Sequence, residues 1–427
     1  MAQSTVRPVA VVGGVRIPFC RSNTAYAELS NQDMLTAAMQ GLVARYDLAD
    51  QKIDEVGAGA VIKHSRDWNL ARESVLGTSL SPLTPAFTVQ MACGTGLQAA
   101  SLLAARIASG QIESAIAGGS DTTSDAPIVF PRRFARRLVR MQAARSLGQR
   151  LAALKGFRPR ELAPQAPNTG EPRTGKSMGQ HCELMAKEWG VGRREQDELA
   201  VASHRKAGAA YDAGFFDQMV VPCEGVTRDN NLRPDSTLEK ISQLSPAFDR
   251  SGEGTLTAAN STPLTDGASS VLLASEEWAR ARGLPVLGYL THVRTAAVDF
   301  VNGEGLLMAP AVAVSEMLEQ AGLTLQDFDY YEIHEAFAAQ VLCTLKAWES
   351  ESFCRERLGR KKALGSIDRE RLNVKGGSLA FGHPFAATGA RVLATMGGIL
   401  DEAGGGRGLI SVCTAGGMGV TAIMERP

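Results

Sequence analysis

The chain lacks the features that would point to nucleic acid, a disulfide framework or a bound metal. Its 45 basic and 45 acidic side chains cancel to a formal net charge of zero, so no overall charge favours a polyanionic partner. Seven cysteines are an odd number and form no Cys-x-x-Cys pair, which favours reduced thiols in a reducing, cytoplasmic compartment. The six histidines are scattered and form no His-x-x-x-His pair. We therefore expect no nucleic-acid partner and no metal site.

Membrane and nucleotide signals are also missing. No apolar run approaches the ~20 residues that a membrane-spanning helix needs, and the first eight residues lack the apolar core of a secretory signal. No Gly-x-Gly-x-x-Gly opens a helix in a dinucleotide-type unit, so no nicotinamide cofactor is expected. At 427 residues the chain is long enough for two or three packed lobes.

The chain does carry a cysteine in a reactive setting. Cys93 follows the apolar run 87–92 and precedes Gly94-Thr95-Gly96, which predicts a turn from a strand into a helix. Free backbone N–H groups and the positive end of the helix stabilise a thiolate at such a turn. A lone cysteine is more often buried apolar filler, so Cys93 by itself leaves both interpretations open.

Three further reactive groups lie in the second half of the chain. His334 stands in the sequence His-Glu-Ala-Phe-Ala at 334–338, His383 in the glycine-rich stretch 373–389, and Cys413 in the glycine turn 411–419. Two cysteines and a histidine suit covalent acyl transfer, in which the histidine removes one thiol proton and the second cysteine moves the other proton. A decarboxylating ketoacyl synthase would use Cys-His-His, and Cys413 argues against it.

An internal repeat organises the chain. In the first half a short strand leads to Cys93, a helix of about 15 residues, and a strand at 114–117. In the second half 376–381 stands in the place of that first strand, followed by His383, a helical stretch near 388–402 and a strand at 408–412. Strands that alternate with helices predict mostly parallel, buried sheets covered by helices.

With these motifs in this order, the sequence resembles the thiolase family over nearly its whole length. The form at 334–338, together with 233–237 and 257–261, resembles the fatty-acid-degrading branch that includes the trifunctional protein beta subunit. The resemblance implies an α/β fold of two similar βαβαβαββ halves in a five-layered core. The expected parts are an N-terminal half of 1–125 and 245–285, an inserted loop domain of 126–244 that binds coenzyme A and substrate, and a C-terminal half of 286–427.

The activity that this resemblance implies is cleavage of a 3-ketoacyl-CoA by coenzyme A, giving acetyl-CoA and a shortened acyl-CoA in fatty-acid β-oxidation. Coenzyme A is then a co-substrate, and no permanently bound cofactor is expected. One alternative is an acetyltransferase that condenses two acetyl-CoA molecules. Another, of a different class, is a non-catalytic subunit or lipid carrier in a β-oxidation complex.

The resemblance also assigns catalytic roles. Cys93 becomes acylated, His383 activates it, and Cys413 exchanges a proton with the α-carbon of the substrate. The backbone N–H groups of Cys93 and Ala415 form an oxyanion hole, and His334 orients water or donates to a second oxyanion site. The family usually has glycine at 415 and at 386, and the alanines found here raise two questions, whether the turn at 415 shifts and what Ala386 does to chain-length preference.

Substrate contacts follow from the same resemblance. The segment 254–263 is similar to the coenzyme A contact loop of the family, which places Thr262 at the hydroxyl position that meets the pantetheine amide, with Ser261 beside it. Met178 and Phe337 are expected near the substrate. A homodimer or homotetramer is implied, and the resemblance allows a hydratase/dehydrogenase partner subunit.

The inserted segment is strongly basic between 131 and 160, where many arginines occur without any acidic residue and leucines recur at near-helical spacing. A solvated helix face explains such a pattern. Binding of coenzyme A phosphates, of an acidic partner subunit or of a membrane surface explains it as well. The sequence leaves these alternatives open.

Overall fold

This computed structural model describes residues 6–427. Residues 1–5, which belong to the expected N-terminal half and to the stretch tested for a secretory signal, lie outside the described residues. The strands are β1 (Val9–Arg16), β2 (Cys20–Arg21), β3 (Glu55–Gly59), β4 (Ala86–Thr88), β5 (Ser114–Asp121), β6 (Thr265–Ser275), β7 (Gly288–Ala297), β8 (Tyr330–Ile333), β9 (Gly406–Thr414) and β10 (Met418–Arg426). The helices are α1 (Asn31–Arg45), α2 (Leu70–Leu76), α3 (Thr95–Ala108), α4 (Arg132–Ala143), α5 (Leu147–Ala153), α6 (Met178–Glu188), α7 (Arg193–Asp212), α8 (Leu238–Ile241), α9 (Glu276–Ala281), α10 (Ala309–Ala321), α11 (Ala338–Glu349), α12 (Glu351–Glu356), α13 (Ser378–Phe381) and α14 (Thr388–Glu402).

The strands form two half-sheets joined at their centre. The order is β4-β3-β5-β6-β1-β7-β10-β9-β8, and β2 pairs with β6. Strands β1 and β7 join the halves through the pairs Ala10–Tyr289 and Val11–Gly288. The second half of the chain thus continues the sheet of the first.

The expectation of mostly parallel sheets is wrong. Only β3–β4, β3–β5 and β8–β9 are parallel among the strand pairs of residues 6–427, and the pairs involving β1, β6, β7 and β10 are antiparallel. The cause is that β9 and β10 form a hairpin across the glycine turn at 415–417, and that β6 returns between β5 and β1 after the long insertion. Burial on both faces produces the continuous apolar strands that the sequence shows, whatever the strand direction.

Five layers follow from how the strands bury their side chains. Leu272 and Ala274 of β6 face the cluster that contains α1 and α2, whereas Val271 and Leu273 face a cluster containing α3 and α14. In the other half-sheet, Ile410 faces α14, while the alternate residues contact α10 and α11. Helices α3 and α14 therefore form the central layer between two half-sheets, each covered by outer helices. The predicted α/β, thiolase-like fold class is confirmed.

Two local features differ from or refine the expectation. The segment 376–381 is not a strand, because Ser378–Phe381 forms the short helix α13 with Gly377 preceding it. The basic stretch folds as the helices α4 and α5, in which Arg137 is paired with Glu161 and donates to the carbonyls of Ala153 and Lys155. Within residues 6–427 no helix is both long and apolar enough to cross a membrane.

Candidate active site

Cys93 lies just ahead of α3, in the bend between β4 and the helix. Ala92 before it has a φ of +43°, a left-handed conformation that an alanine adopts only under constraint. Thr95 supplies the constraint, because its hydroxyl donates to the Ala92 carbonyl at 2.7 Å and accepts from the Met91 N–H at 2.9 Å. The predicted turn from strand to helix is present, and Thr95 is a positioning residue that the sequence reasoning missed.

The ionisation of Cys93 differs from the expectation. Burial raises the pKa of the Cys93 thiol to about 12, although the backbone N–H groups of Ala415 and of Cys93 itself act in the opposite direction. The negative charges of Asp121 and Glu171 raise it further. The expected stabilisation of a resting thiolate is therefore wrong, because desolvation outweighs the dipoles at the turn. Cys93 therefore rests as a thiol.

Two histidines lie together beside this turn. The imidazole rings of His334 and His383 are 4.1 Å apart between centroids and tilted by 48°. Burial lowers the pKa of His383 to about 3, and burial, His383 and Arg391 lower that of His334 well below its usual value. Both rings are therefore neutral at physiological pH. Neither Nε2 has a hydrogen-bond partner within residues 6–427, although both atoms are buried.

Each ring is held through its other nitrogen. His383 Nδ1 lies 2.6 Å from the Thr388 hydroxyl, and His334 Nδ1 lies 2.8 Å from the Ser378 hydroxyl. The backbone N–H of His383 donates to Thr265 Oγ1 at 2.7 Å, and that of His334 donates to the Ser411 carbonyl at 2.8 Å. Since Ser411 belongs to β9, His334 is hydrogen-bonded to the strand that carries Cys413.

Cys413 lies near the end of β9 and is fully buried. Burial raises the pKa of the Cys413 thiol well above its usual value, and a negative charge on Cys93 would raise it further. The ionisation of one sulfur therefore affects that of the other. The left-handed positions of the following turn are Gly416 and Gly417, with φ of +78° and +70°, whereas Ala415 keeps a negative φ. Its methyl group is therefore tolerated without backbone strain, which answers the question raised by alanine at 415.

Ala386 is buried in the contact between the His383 turn and α3. Its carbonyl oxygen would lie 2.8 Å from a Cβ at Gly96 and 2.3 Å from one at Gly119. Its N–H donates to the buried carboxyl of Asp121 at 2.8 Å. Ala386 thus belongs to the packing that places His383 beside α3.

A second carboxyl group fixes the Cys413 loop. Glu171 Oε1 accepts from the Gly416 N–H at 2.9 Å, and its own backbone closes a turn with Lys176 and Gly175. The segment that carries Glu171 therefore contacts the loop after Cys413 directly. Neither Glu171 nor Asp121 stands in a motif that we could interpret. Glu171 is 245 residues from Gly416 in the sequence, and Asp121 is 265 residues from Ala386, so local sequence patterns do not predict these contacts.

The expected coenzyme A loop lies beside the His334 motif. Ser261 pairs with Phe337, and the Thr262 N–H and hydroxyl both point at the Ala336 carbonyl at 3.1 Å. Because the Thr262 hydroxyl donates to Ala336, its oxygen keeps lone pairs free to accept from an amide N–H. The Ser261 hydroxyl is buried without a partner in the described part of the chain.

Met178 and Phe337 border the apolar cluster that includes Cys413. Phe337 packs edge-on against Phe248, with ring centroids 5.8 Å apart. Both predicted substrate-contacting side chains thus share an apolar cluster with Cys413. No group of three or more His, Cys, Asp or Glu side chains in residues 6–427 is arranged to hold a metal ion.

Comparison with known proteins agrees with this geometry. The family description "Thiolase, N-terminal domain" matches residues 9–277, and "Thiolase, C-terminal domain" matches residues 284–426. A 3-ketoacyl-CoA thiolase of Yersinia pestis (strain Pestoides F) is 43% identical over 423 residues, which are 98% of this chain and 96% of that protein.

Solved structures are similar over the whole chain. The acetyl-CoA acetyltransferase of Bacillus anthracis aligns with a TM-score of 0.83 at 28% identity, covering 99% of this chain and 100% of that one. Human mitochondrial 3-ketoacyl-CoA thiolase in complex with CoA aligns with a TM-score of 0.82 at 26% identity, covering 99% of each chain. From its two matched domains, its fold and its nearly full-length relatives, the chain belongs to the thiolase family, as its motifs predicted.

Proposed function

We propose that the protein is a 3-ketoacyl-CoA thiolase, an acyltransferase that cleaves 3-ketoacyl-CoA with coenzyme A. The observation that carries the proposal is the convergence of two thiols and two neutral imidazoles in one buried centre. The full-length similarity to curated 3-ketoacyl-CoA thiolases supports the same reaction.

In the first step the Cys93 sulfur attacks the 3-keto carbonyl carbon of the substrate. His383 Nε2 accepts the thiol proton, because its lone pair is buried and uncommitted. The bond between the α- and β-carbons then breaks, and its electron pair goes to the α-carbon of the departing acetyl-CoA. Cys413 donates its proton to that carbon, which leaves acyl-Cys93 and acetyl-CoA.

In the second step the thiol of a second coenzyme A attacks the thioester carbon of acyl-Cys93. Cys413, left as a thiolate by the first step, accepts the coenzyme A proton, and protonated His383 returns its proton to the Cys93 sulfur, so that Cys93 leaves as the restored thiol. The N–H groups of Cys93 and Ala415 stabilise the oxyanion in both attacks, a contribution of about 3–4 kcal/mol for each donor. Thr262 accepts from the pantetheine amide, with Ser261, Met178 and Phe337 lining the approach.

The same residues would serve an acetyltransferase that condenses two acetyl-CoA molecules, so the acyl-length preference separates the two activities. A non-catalytic carrier is disfavoured, because both thiols are present and both imidazoles are held by hydrogen bonds. The odd number of cysteines, without any Cys-x-x-Cys spacing, supports a cytoplasmic, reducing compartment.

We also propose a homodimer or homotetramer, with room for a hydratase/dehydrogenase partner subunit. The edge strand β4 has one free side, a position that another chain can extend. Helices α4 and α5 expose Val139, Leu147 and Leu151 among arginines, and this surface suits a protein partner. Light scattering of the purified protein tests the homodimer or homotetramer. The same measurement on Val139→Glu tests whether the exposed surface of α4 and α5 takes part in that association.

Activity is tested by following the coenzyme A-dependent loss of 3-ketoacyl-CoA absorbance over a series of acyl lengths. We expect cleavage of long substrates to exceed that of acetoacetyl-CoA, and Cys93→Ser to abolish it. Cys223→Ser, which replaces a half-buried thiol outside the site, is the matched control and should retain activity. Cleavage confined to acetoacetyl-CoA would favour the acetyltransferase, and no cleavage of either would contradict the proposal.

A further inference from the structure

A buried arginine reaches the catalytic His334 through one serine hydroxyl. Arg391 of α14 is 2% exposed, and its Nη2 donates to Ser378 Oγ at 2.8 Å. The same oxygen lies 2.8 Å from His334 Nδ1. Arg391, Ser378 and His334 therefore form a chain that ends at the buried, unpartnered His334 Nε2.

Counting protons along this chain decides the tautomer of His334. Arginine has no acceptor, so Arg391 must donate to Ser378 Oγ. The serine hydroxyl has a single proton, and within residues 6–427 the acceptor in reach is His334 Nδ1. In the opposite arrangement Nδ1 would donate to Ser378 and leave the serine proton buried without an acceptor, which favours the first arrangement by about 5- to 150-fold.

We propose that Arg391 and Ser378 are positioning residues that hold His334 as the Nε2–H tautomer, so that it donates to a substrate oxyanion and does not act as a base. This inference rests on the proposed function for the identity of the oxyanion. The Nε2–H then faces the site as a ready donor, with no reorganisation needed when charge develops on the thioester oxygen.

The charge of Arg391 adds a second effect. Glu332 Oε2 lies 3.8 Å from Arg391 Nη1, too far for a hydrogen bond, so the guanidinium is only partly neutralised. Its field lowers the pKa of His334, in the same direction as burial. A positive charge on His334 is thereby disfavoured, and a base function at Nε2 is excluded by the proton already there.

His383 is held differently, although its ring is only 4.1 Å away. Its Nδ1 lies 2.6 Å from the Thr388 hydroxyl, which receives no second donor among the described residues, so this hydroxyl is able either to donate to Nδ1 or to accept from Nδ1–H. His383 can therefore present a free Nε2 lone pair to the Cys93 thiol. Thr388 therefore leaves open the His383 tautomer with a free Nε2 lone pair, whereas Ser378, which must accept from Arg391, disfavours that tautomer for His334.

The tautomer is measured directly by ¹⁵N NMR of the protein with labelled histidine, without any substrate. We expect His334, assigned by the resonances lost in His334→Asn, to show a protonated Nε2 and an unprotonated Nδ1 at neutral pH. A protonated Nδ1 would overturn the proposal. Because this readout needs no turnover, it can fail while thiolase activity is present, or succeed where activity is absent.

A double-mutant cycle tests whether Ser378 acts through His334. We expect Ser378→Ala to lower kcat about tenfold with KM nearly unchanged, less than the roughly 10²–10³-fold loss for removing an oxyanion donor directly. In the His334→Asn background the same substitution should have no further effect. Effects that multiply, or a Ser378→Ala variant with unchanged kcat, would contradict the positioning role.

Two further variants keep the test independent of folding defects. Ser74→Ala removes a fully buried hydroxyl in α2 that, unlike the Ser378 hydroxyl, has no hydrogen-bond partner within residues 6–427, and it should leave kcat unchanged. Arg391→Lys retains a donor and a charge and should preserve more of the Nε2–H tautomer than Arg391→Met does. Equal tautomer populations in both arginine variants would show that Arg391 does not set the proton position.

Discussion

The contact between α3 and α14 has no room for a methyl group. A Cβ at Gly389 would lie 2.2 Å from the backbone nitrogen of Leu97 and 2.9 Å from its Cβ. From the other side, a Cβ at Gly96 would lie 2.8 Å from the Ala390 nitrogen. The two helices therefore meet backbone to backbone, and we expect Gly389→Ala to force them apart.

The size of the effect follows from these distances. Ordinary van der Waals contact begins at 3.4 Å, so one helix end must move by about 1.2 Å. Overpacking of this kind costs about 1–3 kcal/mol of unfolding free energy. The displaced turns are those that carry Thr388, the support of His383, and the residue after Cys93. A misplacement of about 1 Å between reacting groups costs about 10²-fold in rate, so kcat should fall more than stability alone explains.

The assay combines urea unfolding with steady-state cleavage of a 3-ketoacyl-CoA. Gly148→Ala is the matched control, because this glycine lies inside α5 with no atom within 4 Å of the added methyl. We expect the control to keep full kcat and to gain up to about 1 kcal/mol from the helix preference of alanine.

A Gly389→Ala protein that unfolds at the same urea concentration and retains kcat would refute the reasoning. It would mean that α3 and α14 are further apart than the structure has them. A loss of kcat with unchanged stability would instead assign the whole effect to catalytic geometry.

Three further perturbations test other parts of the molecule. Asp229→Asn should destabilise the fold by about 3–5 kcal/mol, measured by denaturant unfolding, because it removes the charge that pairs at 2.6 Å with the buried Arg16; a loss below 1 kcal/mol would contradict the importance of this pair. Burial raises the pKa of Asp121 to about 7, so the folded chain keeps a proton that the unfolded chain releases above pH 3.8. The unfolding free energy should therefore fall as pH rises from 3.8 to about 7, and this part of the slope should vanish in Asp121→Asn; an unchanged slope would count against it. Glu171→Ala should lower kcat about tenfold by freeing the Gly416 N–H, whereas Glu171→Gln keeps an acceptor and should retain most activity; equal activities would show that this bond does not hold the loop.

Local sequence patterns were sufficient to predict several helices and strands. The helix predicted near 388–402 is α14, Thr388–Glu402, and the strand predicted at 408–412 lies within β9. Helices rich in small residues and continuous apolar strands can be recognised in the sequence, because elements that are buried on all sides show no alternation of polar and apolar residues. The direction of strand pairing was not readable, since a strand buried on both faces has the same composition in either orientation.

The charge state of Cys93, the proposed nucleophile, could be read only from the tertiary structure. The turn around Cys93 predicts a stabilised thiolate, but the sequence does not show how much water the folded chain removes from the sulfur. Burial reverses the sign of the pKa shift. For the same reason, local sequence gives no sign that His334 and His383 are neutral.

By itself the sequence determined the family and the α/β class, and it predicted the reactive groups, because these depend on residue types at short spacings. The tertiary structure alone decided which groups meet. It brings Arg391 to Ser378, Glu171 to Gly416 and Asp121 to Ala386, partners separated by as many as 265 residues. These contacts depend on how buried polar atoms find acceptors once water is excluded, and that pairing exists only after the two halves have packed around α3 and α14.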